Sequence, residues 1–157
     1  MLTRQFLSGI TLKIELDKNA PAVTGSRNRL EQVVLNLLVN ASEAMNSQGE
    51  LAVGVRMASS PAATPLLAPR SAARYLELYV RDTGPGISPE VLPRIFEPFF
   101  TTKHVGATHG TGLGLHLVYT IAQADGLGIG VDTAPGAGTT FRILSPGSPP
   151  APIPSPS

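Results

Sequence analysis

Between residues 11 and 144 the hydrophobic pattern switches repeatedly between two periods, and that switching bounds the fold more tightly than any other feature of the chain. Thr11–Leu16 (TLKIEL) alternates apolar and polar residues, as a strand with one buried face does. Leu30, Val33, Val34, Leu37, Leu38 and Ala41 then recur at i, i+3, i+4, i+7, i+8 and i+11. This is the stripe of a helix packed on a core, with Ser26 placed as its N-cap. Strand patterns return at Leu51–Val55, Tyr75–Val80 and Thr139–Leu144, with a weaker one at Gly128–Asp132. A second helix is expected to open near Gly112 and run to about Ala124 through Leu117, Val118 and Ile121. Several strands with few, non-alternating helices predict an α+β domain, a two-layer α/β sandwich in which helices cover one face of a mixed sheet.

Glycine and proline mark where that domain stops. Gly 16 and Pro 15 make up about a fifth of the 157 residues, against roughly 12% in average usage. Pro146–Ser157 (PGSPPAPIPSPS) has almost nothing apolar to bury, so residues 147–157 are expected to form a disordered Pro/Ser-rich tail. Within it Pro149 and Pro152 have the P-x-x-P spacing of groove-binding segments. Ala58–Ala73 (ASSPAATPLLAPRSAA) joins two strands and is expected to be a long loop without chemistry. Residues 1–10 form a lead-in and 11–146 one domain, with no internal repeat. The absence of cysteine excludes disulfides and thiolate metal sites. Twelve Lys+Arg against eleven Asp+Glu, a net charge of +1, do not make the dense basic surface that nucleic acid or an anionic membrane requires. No apolar run approaches the eighteen residues of a membrane span, so the expected address is the cytoplasm.

Four short segments carry residues suited to chemistry. Asn36 and Asn40 lie one helical turn apart, about 100° round from the centre of the apolar stripe. An asparagine there offers a neutral carbonyl oxygen, a hard ligand for Mg²⁺, or simply a local cap. Asp82-Thr83-Gly84-Pro85-Gly86 puts a carboxylate at a strand end, where it can accept from a ligand's amine, and follows it with glycines that allow a tight turn or a close approach. Phe96-Glu97-Pro98-Phe99-Phe100-Thr101-Thr102-Lys103 sets an aromatic cluster beside a lysine able to reach a polyphosphate. Gly110-Thr111-Gly112-Leu113-Gly114-Leu115 leads into the second helix, whose N-terminal N–H groups and dipole make a phosphate site. Its spacing matches neither G-x-x-x-x-G-K-[ST] nor G-x-G-x-x-G, which disfavours the P-loop and Rossmann folds.

In this order the four segments resemble the N box, first glycine box, F box and second glycine box of sensor histidine kinases. The resemblance covers about Leu12 to Pro146 and continues in Gly136-Ala137-Gly138-Thr139-Thr140-Phe141, similar to that family's closing strand. It implies the Bergerat ATP-binding fold shared with gyrase, chaperone and mismatch-repair ATPases, with ATP and Mg²⁺ as cofactors. Carried over residue by residue, it makes Asn40 the metal ligand and Asn36 its neighbour near the phosphates. Asp82 takes the adenine amine, and Gly84 and Gly86 make room for the base. Phe96, Phe99 and the segment to Gly110 form a mobile ATP lid. Lys103 leans on the phosphates, Gly110, Thr111, Gly112, Leu113 and Gly114 cradle them, and Thr139 helps line the adenine pocket. Asn36 and Lys103 are thereby the catalytic candidates.

The resemblance also implies partners. A complete sensor kinase carries its acceptor histidine on a helical hairpin ahead of this domain, and here only about two dozen residues precede the first helix. The dimerisation/phosphoacceptor domain is therefore expected elsewhere, in a longer chain or in trans, with a response regulator as indirect partner. His104, His109 and His116 fall in or beside the lid and second glycine box; His116 is expected to be an ordinary surface or core-edge histidine. Two other functions remain open at this point. A gyrase- or chaperone-type ATPase carries a glutamate one turn before the metal asparagine, where this chain has Asn36, and an amide cannot act as a base. A nucleotide-binding module without turnover fits the same residues.

Overall fold

A computed structural model describes residues 9–17, 27–46, 48–58, 66–100 and 114–147. The elements run β1 (Ile10–Leu16), α1 (Arg27–Ala44), β2 (Gly49–Ala58), β3 (Tyr75–Asp82), a single 3₁₀ turn (Leu92–Arg94), α2 (Gly114–Asp125), β4 (Gly128–Thr133) and β5 (Thr139–Pro146). Their sheet has the order β1-β2-β3-β5-β4. Only β1 and β2 pair in parallel, an arrangement that needs a crossover, and α1 supplies it. The other pairings are antiparallel, so the sheet is mixed and the fold is α+β, as the pattern predicts.

Side chains two apart share a face of the sheet. The register therefore puts Leu51, Val53, Leu78, Val80, Phe141, Ile143, Ile129 and Val131 on one side, where α1 and α2 pack against them and each other. From α1 come Val33, Leu37, Leu38 and Ala41, and from α2 Val118, Ile121 and Ala122, all buried. Removing a leucine or isoleucine from water in such a layer is worth about 1.5–3 kcal/mol, which is why the stripe holds the helix in place.

The other face carries charge in place of a second helical layer. Glu77 is buried beneath Arg56 and Arg142, Arg142 also pairs with Asp132 at 2.7 Å, and Arg81 meets Glu15 at 3.3 Å. The Tyr79 ring lies across Gly54, where a Cβ would collide with it, and Arg56 stands 4.8 Å from the ring centroid. Partly exposed pairs of this kind contribute up to about 1 kcal/mol each. Their effect is to keep the uncovered face polar and balanced in sign.

The loop after β2 is anchored where it is described: Leu66 and Leu67 donate to the Ile129 carbonyl at 2.8 and 3.2 Å, Ile129 donates back to Leu67 at 2.9 Å, and Arg70 donates to Gly126 at 2.8 Å. This short stretch closes the outer edge of β4, which would otherwise present unpaired backbone groups. The bounds of α2 agree with the pattern to within two residues, α1 runs three residues past Ala41, the last of its stripe, and Ser26, the expected cap, lies outside the described residues. Also outside them is the tail from residue 148, while the Gly147 N–H bonds the Arg74 carbonyl at 2.9 Å. Among the described residues no helix is long and apolar enough to cross a membrane.

Candidate nucleotide-binding site

Asp82 is the last residue of β3, a strand flanked on both sides, by Leu51 of β2 and Thr139 of β5. By strand parity its side chain is on the helix-covered face, and it is only 4% exposed. The Gly84 N–H donates to its Oδ1 at 2.8 Å, and the Thr139 backbone N–H also donates to the carboxylate. Burial pushes the carboxyl pKa up from its ordinary value, and the two backbone donors only partly offset that push. A desolvated carboxylate with lone pairs to spare is a strong acceptor for a ligand N–H.

The loop after Asp82 is fixed on two sides. Toward α1, the Thr83 N–H lies 3.4 Å from the Met45 sulfur, and the Thr83 hydroxyl accepts from the Glu50 N–H at 3.1 Å. A Cβ at Gly84 would come within 3.0 Å of Asp82 Oδ1 and 3.3 Å of the Ala44 carbonyl, so a bare backbone is what lets this turn sit against the end of α1. Toward the β4–β5 turn, Gly86 takes φ +78°, and a Cβ there would strike the Ala134 carbonyl. Both the left-handed conformation and the close approach demand glycine. The Gly136 N–H then donates to the Pro85 carbonyl at 2.7 Å, and the Ile87 N–H to the Thr133 hydroxyl at 2.8 Å.

Asn36, Asn40 and Ala44 follow at i, i+4 and i+8 along one side of α1, the side whose last carbonyl abuts Gly84. Both asparagines are half-buried, as expected for the edge of the stripe. The Asn36 Nδ2 is buried and has no hydrogen-bond partner among the described residues. An amide donor in that condition costs about 1–3 kcal/mol unless something outside the chain accepts from it. Among the described residues there is no cluster of His, Cys, Asp or Glu to hold a metal, so side-chain amides are the neutral oxygen ligands on offer here.

The aromatic segment splits in two. Ile95 is buried, Phe96 and Phe100 pack at the core's edge, and the Phe96 ring stands 5.5 Å from that of Tyr119 at 34°. Phe99 instead is 72% exposed and holds φ +64°, a conformation a bulky side chain rarely adopts. His116 of α2 has its Nδ1 3.1 Å from the Phe96 carbonyl. A carbonyl can only accept, so the hydrogen sits on Nδ1, and the histidine ties the start of α2 to the aromatic segment. His116 is half-buried, within the surface or core-edge placement expected from the sequence, and the bond adds a tie that the sequence did not show. Gly114 opens α2, and outside its own helix no atom among the described residues lies within 4 Å of where a Cβ would be. Lys103, Gly110, Thr111, Gly112 and Leu113, together with His104 and His109, lie outside the described residues.

Thr139 lies beside Asp82, and its hydroxyl is 2.9 Å from that of Thr133 across the base of the β4–β5 hairpin. Thr133 escaped the sequence reading. The signal for it was the symmetry of Thr133 and Thr139 about the short APGAG turn, which makes them the closing pair of the hairpin.

A buried carboxylate at a strand end, two close-packed glycine turns and an amide-lined helix edge thus converge at one end of the helix-covered face. The sequence profile of the family described as histidine kinase-, DNA gyrase B- and HSP90-like ATPases matches residues 25–149, most of the chain. The chain belongs to that family. This histidine kinase-like ATPase domain is 42% identical over 147 residues to the sensor kinase CckA of Brucella abortus, a match covering 93% of this chain and 15% of CckA. It is 37% identical over 151 residues to the sensory histidine kinase/phosphatase NtrB of Rhizobium meliloti, covering 91% of this chain and 37% of NtrB. Among solved structures it superposes on the mycobacterial sensor histidine kinase MprB with a TM-score of 0.68 at 28% identity, covering 93% of this chain and 87% of that one. The ATPase domain therefore spans well under half the length of the curated relatives named here, which are larger sensor kinases.

Proposed function

We propose that this domain is the catalytic, ATP-binding part of a two-component sensor histidine kinase. It holds MgATP and presents the γ-phosphoryl group to a histidine on a separate dimerisation/phosphoacceptor domain, from which a response regulator is served in the cytoplasm. The observation that carries the reading is the buried, acceptor-only Asp82 carboxylate at the end of β3, in a chain whose relatives are sensor kinases. Asp82 takes the adenine amine. Gly84 and Gly86 let the loop fold back far enough to admit the base, and Thr139 lines the same pocket. The Asn36 amide hydrogen, buried without a partner among the described residues, suits a phosphate oxygen, and Asn40 one turn on supplies a neutral oxygen for the metal. Mg²⁺ would supply charge neutralisation at the phosphates. Phe96, Phe99 and the chain to Gly110 act as the lid, Lys103 adds a positive charge, and Gly110, Thr111, Gly112, Leu113 and Gly114 offer backbone N–H groups at the start of α2.

Phosphoryl transfer of this kind rests on positioning and charge neutralisation and needs no nucleophile from the domain itself. Asn36 stands where a water-activating base would be needed, so hydrolysis is expected to be feeble. The domain is taken as residues 11–146, with a lead-in before and a Pro/Ser-rich tail after; the pairing of β1 with β2 supports counting β1 in it, and the family profile runs over 25–149. The test is to incubate the chain with γ-labelled ATP and Mg²⁺, alone and with the helical-hairpin domain of a related sensor kinase. Acid-labile phosphate is expected on the hairpin histidine only. Labelling of a histidine in this chain, or intact ATP binding with no transfer to any hairpin, contradicts the proposal.

A further inference from the structure

The Thr133 hydroxyl has three polar neighbours, and one placement of its hydrogen satisfies all three. Its oxygen lies 2.8 Å from the Ile87 nitrogen, 3.1 Å from the Gly138 carbonyl oxygen and 2.9 Å from Thr139 Oγ1. A hydroxyl has one hydrogen and two lone pairs. The Gly138 carbonyl can only accept, so it takes the Thr133 hydrogen. The Ile87 N–H can only donate, so it occupies one lone pair. What remains on Thr133 is a second lone pair, and the Thr139 hydroxyl must donate into it. Thr139 has then spent its only hydrogen on Thr133 and keeps lone pairs alone.

Thr139 is also the register partner of Asp82, and its backbone N–H donates to the Asp82 carboxylate. We infer that Thr133 is a positioning residue that sets the polarity of base recognition: by taking the Thr139 hydrogen, it makes the Thr139 hydroxyl an acceptor beside an acceptor-only carboxylate. Two neighbouring acceptors are satisfied by a group carrying hydrogens, such as a purine 6-amine or a water bridging to it, and are left unmatched by a 6-carbonyl. The preference for adenine is thus set by two residues on β5 and β4 as well as by Asp82. This inference rests on the reading that the nucleotide base meets Asp82.

ATP and ITP test the point, because the purine edge is reversed between them: position 6 carries an amine or a carbonyl, and N1 a lone pair or an N–H. Their affinities are to be measured by calorimetry for the wild type, Thr133→Ser, Thr133→Val and Thr139→Val. The wild type is expected to prefer ATP, and Thr133→Ser, which keeps the hydroxyl, to retain that preference. Thr133→Val frees the Thr139 hydrogen to meet a 6-carbonyl and is expected to lower the ATP:ITP ratio about five- to tenfold, the worth of one hydrogen bond. In the Thr139→Val background the Thr133→Val change should leave the ratio unaltered, which a merely structural loss would not do. If Thr133→Val does not fold, Thr139→Val alone decides: it should weaken ATP more than ITP, and an equal loss for both contradicts the inference. A Thr133→Val protein with the wild-type ratio overturns the role of Thr133 while leaving the site standing. A wild type without preference for ATP over ITP overturns the Asp82 reading together with this one.

Discussion

The two ends of the candidate site are built differently. Around Asp82 every turn is tied to a neighbour: Thr83 to Met45 and Glu50, Pro85 to Gly136, Ile87 to Thr133, with Gly86 wedged against Ala134. At the aromatic segment the ties are few. His116 holds the Phe96 carbonyl, Arg94 covers Phe100 at 4.6 Å from its centroid, and Phe99 is left exposed in a left-handed conformation. The contrast suits a site that selects its base with a preset surface, where preorganisation lowers the cost of binding. On the proposed phosphate side, the described groups have fewer such ties and more room to adjust around a ligand.

Substitutions at five positions probe that contrast, from the largest expected effect to the small ones. Asp82→Ala removes a charged acceptor and should weaken MgATP binding by about 1.5–3 kcal/mol, roughly ten- to hundredfold, measured by calorimetry. Asp82 also opposes folding at neutral pH. Because its folded pKa is raised, it favours the folded state below its ordinary value near 3.8 and loses that contribution as pH rises through the raised value. Asp82→Asn should therefore melt above the wild type at pH 7, with the gap closing as pH falls toward 4, and a gap that widens on acidification contradicts the buried-charge picture.

Gly86→Ala strains a positive φ and drives a methyl into the Ala134 carbonyl, at a cost of about 1–3 kcal/mol in denaturant unfolding. Gly114→Ala, which meets open space, should leave stability within about 0.5 kcal/mol. Equal losses at the two glycines would erase the distinction between the ends.

His116→Leu gives up one hydrogen bond to the aromatic segment, about 0.5–1.5 kcal/mol of stability. His116→Asn, whose amide nitrogen falls near the Nδ1 position, should recover most of it; no recovery would mean the ring, and not the bond, matters. A smaller effect, of opposite sign, is expected for Phe99→Asn, since asparagine tolerates φ +64° better than phenylalanine. A gain of about 0.5 kcal/mol is expected, alongside weaker transfer to the acceptor domain, and a loss of stability would show that the exposed ring packs after all.

What could be read in the sequence was what has a local period. The Leu30–Ala41 stripe, the five strands and the order of the four segments all depend on spacing along one stretch of chain, and the sheet and both helices follow them. Thr133 depends on the register of a hairpin, which brings its hydroxyl to Ile87 some 46 positions away. The pairing of Leu66–Arg70 with the β4 edge is made by backbone groups, which leave no side-chain pattern beyond two leucines between prolines. His116 sits on a helix like any other polar residue until Phe96, 20 positions earlier, places a carbonyl against it. Each of these is a tertiary hydrogen bond, and composition or periodicity carries no trace of it.

The location of the nucleotide can be tested most directly by titrating the ¹⁵N-labelled chain with a non-hydrolysable MgATP analogue and following the backbone amides. The largest shifts are expected at residues 82–87, at 133–139, at the C-terminal half of α1 and at the start of α2, all on the helix-covered side of the sheet. Shifts centred on Arg56, Tyr79 and Arg142 across the sheet, or none at saturating analogue, would contradict the placement of the site at the end of β3.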